Sequence, residues 1–200
     1  MTIAFAVTWD YRCPFARNAH EHLLTAVEAG ADWDVSYLAF SLDQAHVENG
    51  KPPVWDEPDR YPGLLANLAG IVVRDRLPEQ FRTVHRALFA ARHDLALDLR
   101  DREVLAKVLG GAGVDPDEVL GQVDAGWPLQ IFKAEHSDAV DRLSVFGVPT
   151  FIMGDRSVFV RLLDRPGDDA ELATRSISRV LDLIDTWPAL NEFKYTSIPR

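Results

Sequence analysis

The sequence predicts an α/β chain in which a βαβ unit and a ββα unit are separated by an all-helical block. Three observations carry this prediction. The first 40 residues hold two short apolar β runs around one amphipathic helical stretch, and residues 62–143 keep a helical period almost throughout. Two further short β runs and one helix then close the chain.

The first β run is Ile3 to Thr8, followed by a turn at Trp9 to Arg12. In the helical stretch that follows, Phe15, Ala19, Leu23 and Val27 recur on one face before Gly30 closes it. Trp33 to Phe40, "WDVSYLAF", alternates as a second strand. Two strands joined through a helix are parallel with a right-handed crossover. In "ENGKPPVWDEPDRYPG" four prolines and two glycines mark an irregular connection.

Within the helical block, "PEQFRTVHRALFAARH" places Phe81, Val84, Leu88 and Ala91 at helix spacing. Further helices are expected at Arg102 to Leu109, Asp117 to Val123 and Leu129 to Leu143. Gly110 and Gly111 read as a stop. Asp115, Pro116 and Glu118 read as an N-cap, a first-turn proline and the far half of a capping box. Beyond the block, Thr150 to Met153 and Ser157 to Val160 form a hairpin about Gly154-Asp155. A last helix starts near Asp168 with the stripe Leu172, Ile177, Val180, Leu181 and Ile184, and the tail after Trp187 has no period and is expected to lie over the surface.

At 200 residues the chain can bury a sizeable core. Its 31 acidic residues against 21 basic ones give a net charge of −10, which argues against a partner held by phosphate contacts. The opening "IAFAV" is too short for a signal peptide, and no stretch approaches the roughly 18 apolar residues of a membrane span. A single cysteine excludes a disulfide scaffold and agrees with a reducing compartment, so the expected location is the cytoplasm.

That cysteine carries the candidate chemistry. Cys13 precedes Pro14 at the mouth of the first helix, where unpaired backbone N–H groups and the positive dipole end stabilise a thiolate and lower its pKa. Pro14 suits the first turn because it has no N–H there to leave unpaired. Arg12 and Arg17 are close enough in sequence to add positive potential, or else they point to water. The opposing reading is a buried, inert thiol. Trp9, Tyr11, Phe15 and Trp55 read either as walls of an apolar pocket or as core. His20 and His22 face about 200° apart on a helix, which suits no metal site; they are expected at solvent or in a cleft, His20 the better cleft candidate. No metal is expected, since the other histidines show no ligand spacing.

"CPFA" after the first strand, "FGVPT" before the third, and the order βαβ, helices, ββα together carry a resemblance. The chain resembles the DsbA-like branch of the thioredoxin superfamily over nearly its whole length, with Asp10, Cys13, Pro14 and Phe15 in the first motif. "WDYRCPF" and "NEFKYT" look most like cytoplasmic bacterial members, including mycothiol-dependent reductases. The same branch includes kappa-class glutathione transferases and 2-hydroxychromene-2-carboxylate isomerases, with serine at the position of Cys13. The resemblance implies a thioredoxin fold over 1–60 and 144–200 with an all-helical insertion domain at 61–143. It also implies a cis Val148–Pro149 bond opposite Cys13, with the Val148 backbone pairing with an extended substrate; read alone, Pro149 would only begin an edge strand.

Ala16 stands where a two-cysteine motif keeps its resolving thiol, so exchange at Cys13 must finish with an outside thiol. The expected function is therefore monothiol thiol–disulfide exchange, with Cys13, Pro14 and Pro149 as the catalytic group and Trp9, Phe15, Ala16 and Val148 around the substrate. No cofactor is tightly bound; glutathione or mycothiol is the external thiol, and the partner is a small thiol or a thiol-modified protein, with a homodimer open. The alternatives are a thiol-binding transferase or isomerase, and a thioredoxin-fold binding protein without catalysis.

Overall fold

A computed structural model describes residues 2–195. In chain order the elements begin with β1 (Ile3–Trp9), α1 (Pro14–Glu28), β2 (Trp33–Ala39) and the single turn α2 (Leu42–Ala45). The proline-rich connection holds two short 3₁₀ turns, Val54–Asp56 and Tyr61–Leu64. The helical block is α3 (Leu65–Arg76), α4 (Pro78–His93), α5 (Arg102–Gly111), α6 (Pro116–Asp124) and α7 (Trp127–Leu143). A hairpin of β3 (Thr150–Met153) and β4 (Arg156–Phe159) precedes α8 (Ala170–Thr186).

The strands form one mixed sheet in the order β2-β1-β3-β4. β1 and β2 are parallel, with Ile3 opposite Trp33 and Trp9 opposite Ala39, while β3 is antiparallel to both β1 and β4. This is the thioredoxin-like arrangement, an α/β fold with a helical block between its two halves.

Caps explain most of the helix boundaries and two departures from the expected ones. Asp115 caps α6, its carboxylate accepting from the N–H groups of Asp117 and Glu118 at 2.9 and 3.4 Å. α8 is capped by Asp169, one residue later than expected, through the Leu172 N–H at 2.8 Å. α5 runs through Gly110 and Gly111 rather than stopping there. A glycine with right-handed φ does not end a helix; the positive φ that does, +88°, falls at Gly113. Residues 189–195 lie largely exposed, as the aperiodic tail suggested, and 196–200 fall outside the described residues.

Two buried clusters hold the chain together. Phe5, Val7, Leu23, Phe151, Ile177 and Leu181 fill the space between the sheet, α1 and α8. The second cluster begins at Trp9, Tyr11, Cys13 and Ala16 and continues through Leu68, Phe81, Leu88 and Phe132 of the helical block. The end of β1 and the turn after it are thus packed directly against the inserted helices.

Candidate functional site

Asp10 to Cys13 form a tight turn between β1 and α1, closed by the Cys13 N–H donating to Asp10 O at 2.9 Å. The Asp10 carboxylate accepts from the N–H groups of Arg12 and Leu42 at 3.0 and 2.9 Å, which ties the turn to the start of α2. Cys13 is the N-cap of α1: its Sγ accepts from the Ala16 N–H at 3.4 Å, and Pro14 occupies the first turn, exposed. Opposite, the Val148–Pro149 bond is cis, as the resemblance implied, and the Cys13 thiol donates to Val148 O at 3.2 Å. That loop is anchored at both ends. Thr8 Oγ1 accepts the Thr150 N–H at 2.9 Å, and the Thr150 hydroxyl donates to Gly147 O at 2.7 Å.

The structure brings Cys13, Pro14, Phe15, Ala16, Val148 and Pro149 together. Ala16 and Val148 are buried against the sulfur, and Phe15 is half-buried with the Arg161 guanidinium 5.3 Å from its ring centre. Trp9 is elsewhere. It is fully buried between Phe81 and His85, at 6.1 and 5.4 Å between ring centres, so its place is the core. Trp55 packs against His136 and Lys133, in the helical part of the molecule.

The electrostatics of the thiol differ from the expectation of an acidified thiolate. Burial pushes the Cys13 thiol above its ordinary pKa; the N–H groups of Ala16 and Phe15 pull it down by less, and the Asp10 carboxylate adds to the rise. Arg12 and Arg17 do not compensate, because each is held by acids. Arg12 pairs with Asp43 at 2.5 Å and Asp10 at 3.5 Å, and Arg17 with Glu21 at 2.9 Å and with Asp94. Native Cys13 is therefore expected to alkylate with a midpoint above the ~8.5 of a free thiol. An iodoacetamide rate profile from pH 6 to 10, with urea-unfolded protein as reference, checks this; a native midpoint below the unfolded one contradicts it.

The turn is gripped from beneath by a set of polar contacts that sequence spacing did not expose. Tyr11 Oη lies 2.7 Å from His85 Nδ1, His85 Nε2 lies 2.9 Å from His20 Nδ1, and His20 Nε2 lies 3.1 Å from Thr8 O. Since a carbonyl only accepts, His20 Nε2 carries its proton. A neutral His20 then accepts from His85 Nε2–H, and His85 in turn accepts the Tyr11 hydroxyl. In addition, His93 Nε2 donates to Tyr11 O at 2.9 Å, and Asn67 Oδ1 accepts the Tyr11 N–H at 3.4 Å. His20 is fully buried, not in a cleft, and His22 is buried with Nε2 on Asp164 O at 3.2 Å, so both departures come from α1 being enclosed on nearly every side. No local signal marks these partners, which come from α3 and α4, more than 50 residues away. Among the described residues no group of three or more His, Cys, Asp or Glu side chains could hold a metal.

Burial holds His20 neutral down to about pH 4, and burial likewise pushes His85 well below its ordinary value, with His20 itself opposing a second charge. The ordinary histidine pKa is about 6.5, so between these values the unfolded chain binds more protons than the native one. Stability is therefore complete above pH 6.5 and falls as the pH drops towards 4, by about 3 kcal/mol for His20 alone. Urea unfolding at pH 7 and at pH 4.5, with imidazole resonances followed in the same range, checks this. Buried-ring resonances that titrate near 6.5 would contradict it.

With this geometry in hand, the comparisons with known proteins are specific about family. The family model described as a DSBA-like thioredoxin domain matches residues 6–165. Among solved structures, 2-hydroxychromene-2-carboxylate isomerase superposes with a TM-score of 0.62 at 15% identity, covering 90% of this chain and 97% of its own. A variant of DsbA from Pseudomonas aeruginosa gives 0.60 at 20% identity, covering 94% and 89%. Oxidised BdbD from Bacillus subtilis gives 0.58 at 16%, covering 90% and 87%. At these identities the likeness is one of fold. No curated protein sequence matches the chain.

Proposed function

Because the chain belongs to the DSBA-like thioredoxin domain family, we propose that it catalyses thiol–disulfide exchange through Cys13 alone, with an external low-molecular-weight thiol completing each cycle. One observation supports this above the others. The only sulfur of its kind in the chain sits between the N–H groups at the start of α1 and the carbonyl of Val148, and the residue one turn on is Ala16.

The steps follow from that arrangement. In the resting state the Cys13 thiol keeps its proton and donates it in a hydrogen bond to the Val148 carbonyl, and the thiolate formed on its loss is received by the Ala16 and Phe15 N–H groups. The thiolate attacks the small-thiol sulfur of a mixed disulfide R–S–S–G; the new bond is Cys13 Sγ–S–G, and R–S⁻ leaves and takes up a proton. A second small thiolate attacks the adduct's outer sulfur, releasing G–S–S–G and returning the Cys13 thiolate. The net reaction is R–S–S–G + G–SH → R–SH + G–S–S–G: the R sulfur is reduced, and one free small thiol is oxidised. A reducing compartment, the cytoplasm, supplies that thiol.

A second reading, a thiol-binding transferase or isomerase, draws on the burial of Cys13. A thiol kept protonated can donate to the thiolate of a bound small thiol without forming a bond to it. The test is to offer the wild-type protein a peptide carrying a glutathione or mycothiol mixed disulfide, and to follow peptide-thiol release together with the intact protein mass. Release with a transient small-thiol adduct on Cys13 is the expected result. Absence of both adduct and release overturns the exchange reading.

A further inference from the structure

The apolar face of α8 is wider than the part its own sheet covers. Ala173, Ile177, Leu181 and Ile184 are buried. Beside them Leu172, Val180, Leu183 and Trp187, with the small Ser176 among them, fall within about 80° of one another around the helix. Leu172, Ser176 and Val180 are half-buried, whereas Leu183 and Trp187 are 41% and 55% exposed. The chain after α8 adds Phe193 and Tyr195, 77% and 66% exposed, whose rings meet each other at 5.6 Å between centres. No other stretch of this length among the described residues exposes so many large apolar side chains, and such a concentration marks an interaction surface.

The charges beside the face indicate what covers it. Arg179 and Asp182 are exposed next to the stripe and, three residues apart on one helix, are near enough to pair with each other, as Arg175 and Glu171 do at 2.8 Å. Neither side chain makes an ion pair or hydrogen bond among the described residues. The stripe is also close to symmetric about Val180. In two copies of α8 laid antiparallel with the twofold axis beside Val180, Leu172 of one meets Trp187 of the other, and the small Ser176 leaves room for Leu183. The same register brings Arg179 of each helix within a turn of Asp182 of the other, whereas a parallel pairing sets Arg179 against Arg179 and Asp182 against Asp182. A tail leaving the end of one helix then passes the start of the other, where Asp168 and Asp169 are exposed and opposite in charge to Lys194, which has no ion pair among the described residues.

We infer that two copies of this chain associate through antiparallel α8 helices, each covering the other's Leu183 and Trp187 and carrying its tail across the start of the other's α8. This is independent of the chemistry at Cys13.

Sedimentation equilibrium of the full chain from about 1 to about 100 μM is expected to show a dimer. Leu183→Glu, which sets a carboxylate into the apolar contact from each side, should leave a monomer throughout. Arg179→Asp and Asp182→Arg each place like charges opposite one another and should weaken association about tenfold, and the double variant, which swaps the pair, should recover most of that loss. Lys107→Asp, the same charge change as Arg179→Asp on an exposed residue of α5, should have no effect. Circular dichroism identifies the variants that are folded, and the charge swap carries the test on its own if Leu183→Glu is not. A wild-type monomer at every concentration, which would give the face to a different partner, overturns the inference. A dimer that folded Leu183→Glu leaves intact, or charge reversals whose losses add in the double variant, overturns it equally.

Discussion

Cys13→Ser is expected to abolish exchange, with turnover on a small-thiol mixed disulfide falling by roughly 10³-fold or more to background. A serine hydroxyl can replace the thiol as the cap of α1 and as a donor to Val148 O, so the fold and the site geometry should survive. What it cannot do is form the covalent intermediate. The same variant separates the two functional readings. A transferase or isomerase that needs only a donor to the bound thiolate keeps part of its rate with serine, whereas an exchange enzyme keeps none. The measurement is peptide-thiol release under conditions where thermal unfolding shows the variant folded. Retention of more than a few per cent of the wild-type rate contradicts exchange through Cys13.

The second large effect is expected at Gly70, inside α3. By helix propensity alone Gly70→Ala should stabilise the protein, since alanine is favoured over glycine in a helix interior by about 1 kcal/mol. The packing predicts the opposite sign. A Cβ at position 70 would lie 2.6 Å from Tyr11 Oη and 3.0 Å from its ring. Tyr11 has little room to withdraw, with the rings of His85 and Phe89 at 5.2 and 4.8 Å between centres. Either α3 shifts or the Tyr11–His85 hydrogen bond breaks and leaves buried polar groups unpaired, at a cost of about 2–4 kcal/mol. Chemical unfolding at pH 7 decides between the signs; a variant as stable as wild type would mean that the close approach is absent in solution.

What the sequence made legible, and what it did not, divides along the range of the interactions involved. The β1–turn–α1 unit, the Asp115 cap and the β3–β4 hairpin were readable because each rests on neighbours within a few residues. The lone thiol at the start of α1 belongs with them. The thiol's raised pKa was not readable, because it depends on enclosure by Val148 and the helical block, and because Arg12 and Arg17 are engaged by Asp43 and Asp94, distant in sequence. The end of α5 is hidden for a narrower reason. Two adjacent glycines look like a stop, but the residue that needs a left-handed conformation is Gly113. The position of His20 two turns after Cys13 points to a cleft, and only the packing of α4 against α1 reveals it as core.

The Tyr11, His85, His20 row has all its protons pointing one way, from the phenol towards the sheet, and it terminates on a peptide carbonyl that has none to return. Such a row cannot be reversed by shuttling protons along it, since the last member would have to give one up. It is a one-way strut: it braces the turn that carries Cys13, and none of its hydrogen bonds reaches the sulfur, whose partners are Val148 O and the Ala16 N–H, so the row fixes where the thiol stands without sharing in its proton.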